Sequence, residues 1–144
     1  MDFINQFIHA ITETHPLHPM LVHFPIALTG AAALFILLAV WKNNPALEQA
    51  AFANITLAFF GSIAAGLSGM SDNMSTYDGL APNAGVKIML AVFLILITGI
   101  TAYARWKNPQ LFKTSKGIYV AAYIASFLIA IVLAFLGGVI LYGF

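Results

Sequence analysis

Three of the four histidines in this chain, His15, His18 and His23, lie within residues 15–23, beside three prolines. An imidazole changes its charge near neutral pH and is the commonest side-chain ligand of metal ions. The histidines lead directly into a long apolar segment, and ionisable groups inside a membrane usually have a function. These residue types and their spacing suggest ligand binding or proton transfer at one end of a membrane-spanning helix.

The histidines have three alternative roles. First, they cap backbone groups and anchor the helix at the membrane surface. Second, His15, His18 and His23 are candidate ligands of a metal ion or haem b, although the last two share one short segment and cannot take opposite faces of one haem. Third, a quinone or proton site would combine His23 with Asp72 or Asp78, which are predicted on the same side of the membrane.

The neighbouring prolines predict the backbone around these histidines. A residue before proline favours extended structure, so we expect His15 and His18 on an extended approach to the membrane. Pro19 is expected near the start of the helix, where its missing N–H costs no hydrogen bond. His23 then lies in the first turns of the helix, shortly before Pro25.

The composition indicates that lipid surrounds most of the chain. Hydrophobic residues make up 61% of it and charged residues only 8%, whereas soluble domains contain roughly 25% charged residues. Four stretches have the length of about 20 residues that a membrane-spanning helix needs. They cover about residues 20–41, 47–70, 86–106 and 117–142. Because the connections are short, we predict a single domain over residues 1–144, an all-α, integral membrane, up-and-down four-helix bundle.

A short amphipathic helix is predicted before the first span, over about residues 2–13. Its apolar residues recur at helical spacing, with polar residues between them: Phe3, Ile4, Phe7, Ile8 and Ile11. Such a helix lies in the membrane interface or packs on a partner subunit.

Small residues recur at intervals of four along two predicted spans. In lipid, small residues let helix backbones approach closely, but they also make room for a macrocyclic cofactor. We predict helix-packing seams formed by Gly61, Ala65 and Gly69 on the second span, and by Ala122, Ser126, Ala130 and Ala134 on the fourth.

Positive charges are divided unequally between the two ends of the predicted bundle. One end has Lys42, Arg105, Lys107, Lys113 and Lys116, whereas the other has only Lys87. Cytoplasmic loops carry the excess of lysine and arginine. We therefore expect a multi-pass protein of the bacterial inner membrane, with the histidines and both termini on the periplasmic or outer face.

Several function classes are disfavoured by composition. A net charge of +1 without a basic cluster argues against nucleic acid as a partner. The absence of cysteine excludes disulfides, iron–sulfur ligation and haem attachment through a CxxCH motif. We recognise no nucleophile–base pair or paired catalytic carboxylates, and therefore predict no catalytic residue.

The segment HPLHPMLVHFPIAL, residues 15–28, resembles the signature of an uncharacterised bacterial family of four-helix membrane proteins. Residues 66–72 and 137–143 resemble two looser motifs of that family, so that the resemblance covers nearly the whole chain. Members often carry a histidine near the start of the third span, where this chain has NAGVK at residues 83–87. If the family binds haem between its helices, one candidate second ligand is absent here.

The resemblance implies an electron-transfer setting, because such proteins are often encoded beside Rieske proteins and c-type cytochromes. We expect a non-catalytic membrane subunit of a respiratory or photosynthetic electron-transfer complex. Its partners would be larger membrane subunits and lipids, with a c-type cytochrome as a candidate on the outer face. The alternative is a haem b-binding electron carrier or a quinone-site subunit that uses His18 or His23.

Overall fold

The structure, a computed structural model, describes residues 2–9 and 17–142. These residues form helices and no strand. The helices are α1 (Phe3–His9), α2 (Leu17–Lys42), α3 (Pro45–Tyr77), α4 (Ala84–Lys107), α5 (Leu111–Thr114) and α6 (Lys116–Tyr142). Four of them, α2, α3, α4 and α6, are long and apolar enough to cross a membrane. The predicted all-α four-helix membrane bundle is confirmed.

The spanning helices form a closed ring in chain order. Each packs against the next, and α6 also packs against α2. The α2–α3 and α4–α6 connections lie at one end of the bundle, which we call the basic end because it carries Lys42, Arg105, Lys107, Lys113 and Lys116. The opposite end has the start of α2 and the α3–α4 connection. We call it the histidine end.

The first turn of α2 differs from the expected extended approach, because the helix already begins at Leu17 and includes His18. Pro19 lies within this first turn. The first four N–H groups of a helix have no partner within it, so proline loses no hydrogen bond there. His15 lies outside the described residues, as does the end of the predicted N-terminal helix, and both stay predictions.

Helix α3 continues to Tyr77, beyond the predicted end of the second span at about residue 70. Its 33 residues make it about 50 Å long at 1.5 Å per residue, longer than the roughly 30 Å hydrocarbon core. The carbonyl of Asn73 accepts from the N–H groups of Asp78 and Gly79. The two donor residues, Asp78 and Gly79, have left-handed backbones, with φ of 49° and 80°, and they end the helix. The polar residues before Tyr77 therefore belong to α3 and do not form a loop.

Buried positions on α3 and α6 alternate at intervals of three and four residues. On α3 they are Glu48, Ala51, Ile55, Ala58, Ser62 and Ala65, and on α6 they are Tyr119, Tyr123, Ser126 and Ala130. With 3.6 residues per turn, this alternation stays on one face, whereas each step of four turns by about 40°. Ala134, the last member of the predicted α6 seam, is accordingly exposed. The seam within this chain ends at Ala130.

Small hydroxyl side chains occupy much of the buried surface between the helices. Each donates to the carbonyl four residues earlier in its own helix, as seen for Thr29, Ser62, Thr98, Thr101 and Ser126. In lipid, buried polar groups must be satisfied within the protein. These hydroxyls therefore fit the close packing of the helices without leaving an unpaired donor.

Candidate functional site

The side chain of His18 packs between α2 and α3. Its Nδ1 is 3.0 Å from Ser68 Oγ, and that hydroxyl donates to the carbonyl of Ala65 at 2.9 Å. Because the single proton of the hydroxyl is directed to Ala65, Nδ1 must be the donor to Ser68. A neutral imidazole in this tautomer carries its lone pair on Nε2.

The small residues of the predicted α3 seam make room for side chains of α2. A Cβ atom built on Gly69 would lie 2.7 Å from Cε1 of His18, so that any side chain at this position would require the imidazole to shift. A Cβ atom built on Gly61 would touch Phe24 and Pro25 at 3.4 and 3.5 Å. The space over both glycines is therefore filled by α2, and it forms no open groove for a macrocyclic cofactor.

His23 has different surroundings from His18. It is exposed, and its Nδ1 donates to the carbonyl of Pro19 one turn earlier in the helix. A carbonyl only accepts, so this imidazole also carries a proton on Nδ1 and, when neutral, its lone pair on Nε2. The two histidines are five positions apart, which places them about 140° apart around α2. They do not converge on one ion.

The predicted carboxylate partners lie at the same end of the bundle as the histidines. Asp72 and Lys87 are close enough to His18 for electrostatic interaction, and Asp78 is the C-cap residue of α3. Within residues 2–9 and 17–142, neither carboxylate forms a hydrogen bond or ion pair with His18 or His23. The same residues contain no group of three or more His, Cys, Asp or Glu side chains arranged to hold a metal ion.

A buried ion pair, which the sequence analysis did not single out, lies at the basic end. Glu48 in the first turn of α3 is only 4% exposed. Arg105 in the last turn of α4 donates to it twice, from Nε to Oε1 at 2.6 Å and from Nη2 to Oε2 at 2.9 Å. Two-point contacts of this kind are the strongest that arginine makes with a carboxylate. Each charge also complements the dipole at its own helix terminus.

Two tyrosines of α6 extend this ion pair into the bundle. The hydroxyl of Tyr119 donates to Glu48 Oε1 at 2.8 Å, and the hydroxyl of Tyr123 lies 2.7 Å from that of Tyr119. Since a phenol has one proton, and Tyr119 directs its own to Glu48, Tyr123 must donate to Tyr119. We call Glu48, Arg105, Tyr119 and Tyr123 the Glu48 network.

The Glu48 network connects the buried core with the protein surface. The ring of Phe52 lies 5.3 Å from the guanidinium carbon of Arg105, and Phe112 of α5 packs edge-on against Tyr119. A surface depression opens over the ion pair. Its lining consists of Pro45, Glu48, Gln49, Arg105, Pro109, Gln110, Phe112 and Lys113.

Residues 14–144 match the DUF2231 family, which is described as a family of predicted membrane proteins. The chain belongs to this family. The match includes all four spanning helices, both described imidazoles and the whole Glu48 network. No curated protein and no solved structure matches the chain. The family description gives no activity, so the function of this DUF2231 protein has to be argued from its structure.

The sequence analysis missed the Glu48 network, although two features of the sequence agree with it. Glu48 is the sole acidic residue in the segments that form the basic end. Tyr119 and Tyr123 are four residues apart, a spacing that puts both on one face of a helix. Their contact with Glu48 joins parts of the chain 71 residues apart, and this register depends on how α3 and α6 pack.

Proposed function

We propose that this DUF2231 protein is a non-catalytic membrane subunit of an electron-transfer complex, of the respiratory or photosynthetic kind. In this role it packs against larger subunits and shapes a docking surface at the histidine end. The main support for the proposal is the distribution of polar and apolar side chains between the inside and the outside of the bundle. No buried polar side-chain atom in the described part of the chain lacks a hydrogen-bond partner, while large apolar side chains cover the outside of the bundle.

This outer surface suits contacts within a membrane. Every spanning helix exposes large apolar residues, for example Leu34 on α2, Leu67 on α3, Ile100 on α4 and Ile118 on α6. Such a surface fits lipid tails and the apolar helices of another subunit equally well. The electron-transfer setting is supported by the resemblance of residues 15–28 to a signature found beside Rieske proteins and c-type cytochromes.

The proposed location is the bacterial inner membrane, with the basic end in the cytoplasm and the histidine end outside. Five lysine and arginine residues belong to the basic end, against Lys87 alone at the histidine end. Acidic residues contribute little to orientation, and the short connections are the kind to which the lysine and arginine rule applies. A c-type cytochrome would then meet the histidine end.

Purification of the tagged full chain from its native membranes in a mild detergent tests this proposal. We expect it to migrate on a native gel with larger subunits that contain haem or iron–sulfur clusters, identified by mass spectrometry. A sample treated with a harsh detergent, which separates subunits, is the control. Migration at the mass of the chain alone in the mild detergent would contradict the proposal.

A second candidate function, binding of haem b or a quinone, is favoured by the tautomers of the two histidines. Histidine ligands usually donate their other ring nitrogen to a carbonyl or a similar acceptor, as His18 and His23 do through Nδ1. Either His18 or His23 would hold a haem through Nε2, and a second ligand would come from another chain. A bound haem would supply one-electron transfer. A quinol hydroxyl would instead donate to the same Nε2 atom.

Absorption spectra of the purified complex distinguish these ligands. Haem bound by His23 predicts a Soret band that is lost or shifted in His23→Ala and retained in His18→Ala, or the reverse if His18 is the ligand. A quinone predicts a Soret band that is unchanged in both variants, but less extractable quinone in one of the two. If neither haem absorbance nor quinone content changes in either variant, this second function is wrong.

A further inference from the structure

The basic end has more positive charge than the chain itself compensates. Arg105 is paired with Glu48, the sole acidic residue there. No carboxylate in the described part of the chain forms an ion pair with the remaining cations, Lys42, Lys107, Lys113 and Lys116. Four ammonium groups are therefore available to an anion from outside the chain.

Aromatic rings hold three of these lysines. Lys42 lies 5.8 Å from the ring of Trp41, Lys107 lies 5.2 Å from that of Trp106, and Lys116 lies 5.1 Å from that of Phe112. Tryptophan is enriched at the level of the lipid headgroups. The basic end therefore has the composition of a surface at headgroup depth, where its neighbours are phosphate groups.

The fourth lysine, Lys113, lines the depression over the Glu48 network. Arg105 also lines it, with a guanidinium held in place by Glu48 and by the ring of Phe52. A guanidinium has five N–H donors, and Glu48 takes two of them. Gln49 and Gln110 line the same depression. Two cationic residues and two glutamines, whose side chains can donate hydrogen bonds, therefore line one depression.

We propose that this depression binds the phosphate of an anionic phospholipid headgroup. Arg105 and Lys113 provide the ionic contacts, and Gln49 and Gln110 donate hydrogen bonds. Glu48 does not repel the phosphate strongly, because Arg105 and Tyr119 bond both of its oxygens. Its contribution is to fix the guanidinium, so that the remaining N–H groups are oriented before the lipid binds.

The surface below the depression favours a lipid over a soluble phosphate. Exposed residues follow Gln49 along one face of α3 at helical spacing, namely Ala53, Leu57 and Phe60. This apolar strip begins beside the proposed headgroup site and runs toward the middle of the bundle. Acyl chains attached to the bound phosphate would lie along it.

The test uses the full chain in a neutral detergent, titrated with phosphatidylglycerol or with phosphatidylcholine of the same acyl chains, with bound lipid counted by native mass spectrometry. We expect phosphatidylglycerol to bind at least tenfold more tightly. Lys113→Gln should weaken its binding by up to about fivefold, the contribution of one exposed ion pair with the bound phosphate. Lys42→Gln is the matched control, because it removes one charge from the same end outside the depression, and should change binding less than twofold.

Three results would overturn the proposal. Phosphatidylcholine also has a phosphate but no net charge, so equal binding of the two lipids would show that the site does not select anionic lipid. Equal losses in Lys113→Gln and Lys42→Gln would show attraction to the whole basic end without a defined site. Displacement of phosphatidylglycerol by inorganic phosphate at a similar concentration would show a site for a free anion. Retention of the lipid in excess inorganic phosphate supports the lipid assignment.

Discussion

The direction of the hydrogen bonds in the Glu48 network predicts unequal effects of two otherwise matched substitutions. Tyr119→Phe and Tyr123→Phe each remove one hydroxyl from a side chain that is at most 3% exposed. If burial alone decided the effect, both substitutions would lower the free energy of unfolding by similar amounts. In the directed chain, however, Tyr119 both donates to the Glu48 carboxylate and accepts from Tyr123, whereas Tyr123 only donates.

The difference can be worked out from the bonds that each substitution breaks. Tyr123→Phe removes one hydrogen bond between neutral groups, which contributes about 0.5–1.5 kcal/mol. Tyr119→Phe removes a bond to a charged group, which contributes about 1.5–3 kcal/mol, and also leaves the hydroxyl of Tyr123 without its acceptor. We expect losses in the free energy of unfolding of about 1 kcal/mol for Tyr123→Phe and about 3 kcal/mol for Tyr119→Phe.

Equilibrium unfolding by sodium dodecyl sulfate in mixed micelles measures these losses. The two tryptophans, Trp41 and Trp106, both lie at the basic end, so that their fluorescence reports the region around the network. Tyr77→Phe, at the exposed end of α3, is the control and should change stability by less than about 0.5 kcal/mol. The double variant should be no less stable than Tyr119→Phe alone, because it removes the unpaired hydroxyl.

The reasoning fails if Tyr123→Phe is as destabilising as Tyr119→Phe, or more so. That result would mean that the network does not run from Tyr123 through Tyr119 to the carboxylate. A double variant with the sum of the two single losses would likewise contradict the inferred coupling.

Three further predictions concern the two ends of the bundle. Glu48→Gln should lower the free energy of unfolding by about 3 kcal/mol. This is the lower part of the range for breaking a buried ion pair, because the arginine partner is partly exposed. A variant as stable as the original chain would refute the structural role of the pair. Gly69→Ala should displace the imidazole of His18 and increase its reaction with diethyl pyrocarbonate. Gly137→Ala is the control and should leave that reaction unchanged, because nothing lies within 4 Å of the new methyl group. Equal reactivity of His18 in both variants would contradict the close contact. His18→Ala should destabilise the bundle by about 1–2 kcal/mol, since it removes a half-buried hydrogen bond between helices. His23→Ala should destabilise it by less than about 0.5 kcal/mol, because His23 is exposed. Unfolding curves of the two variants test this order, and a larger loss in His23→Ala would contradict it.

Much of the fold could be predicted because its signals are local. Apolar runs of sufficient length indicate the four spans, and short connections indicate their antiparallel order. The end of α3 could not be predicted in this way, because residues 71–77 have the composition of a loop. Their helical state depends on the cap formed at Asp78 and Gly79, whose N–H groups bond the carbonyl of Asn73.

The candidate sites were only partly predictable for a related reason. The histidines stand out by residue type. The contact of His18 with Gly69, however, depends on the register of α2 against α3, which the sequence alone does not give. The seam on α6 was predicted at constant intervals of four, whereas a helix keeps one face by alternating three and four. The Glu48 network depends on contacts between residues 57 and 71 positions apart, which no local pattern specifies.

The central claim is that the chain crosses the membrane with its histidine end outside and its basic end in the cytoplasm. Since the sequence has no cysteine, single-cysteine variants can be labelled on intact cells with a thiol reagent that does not cross the inner membrane. Asp78→Cys should react in intact cells, and Lys113→Cys should react only after the membrane is permeabilised. Labelling of Lys113→Cys in intact cells, with Asp78→Cys protected, would contradict the orientation and the proposed placement of both sites.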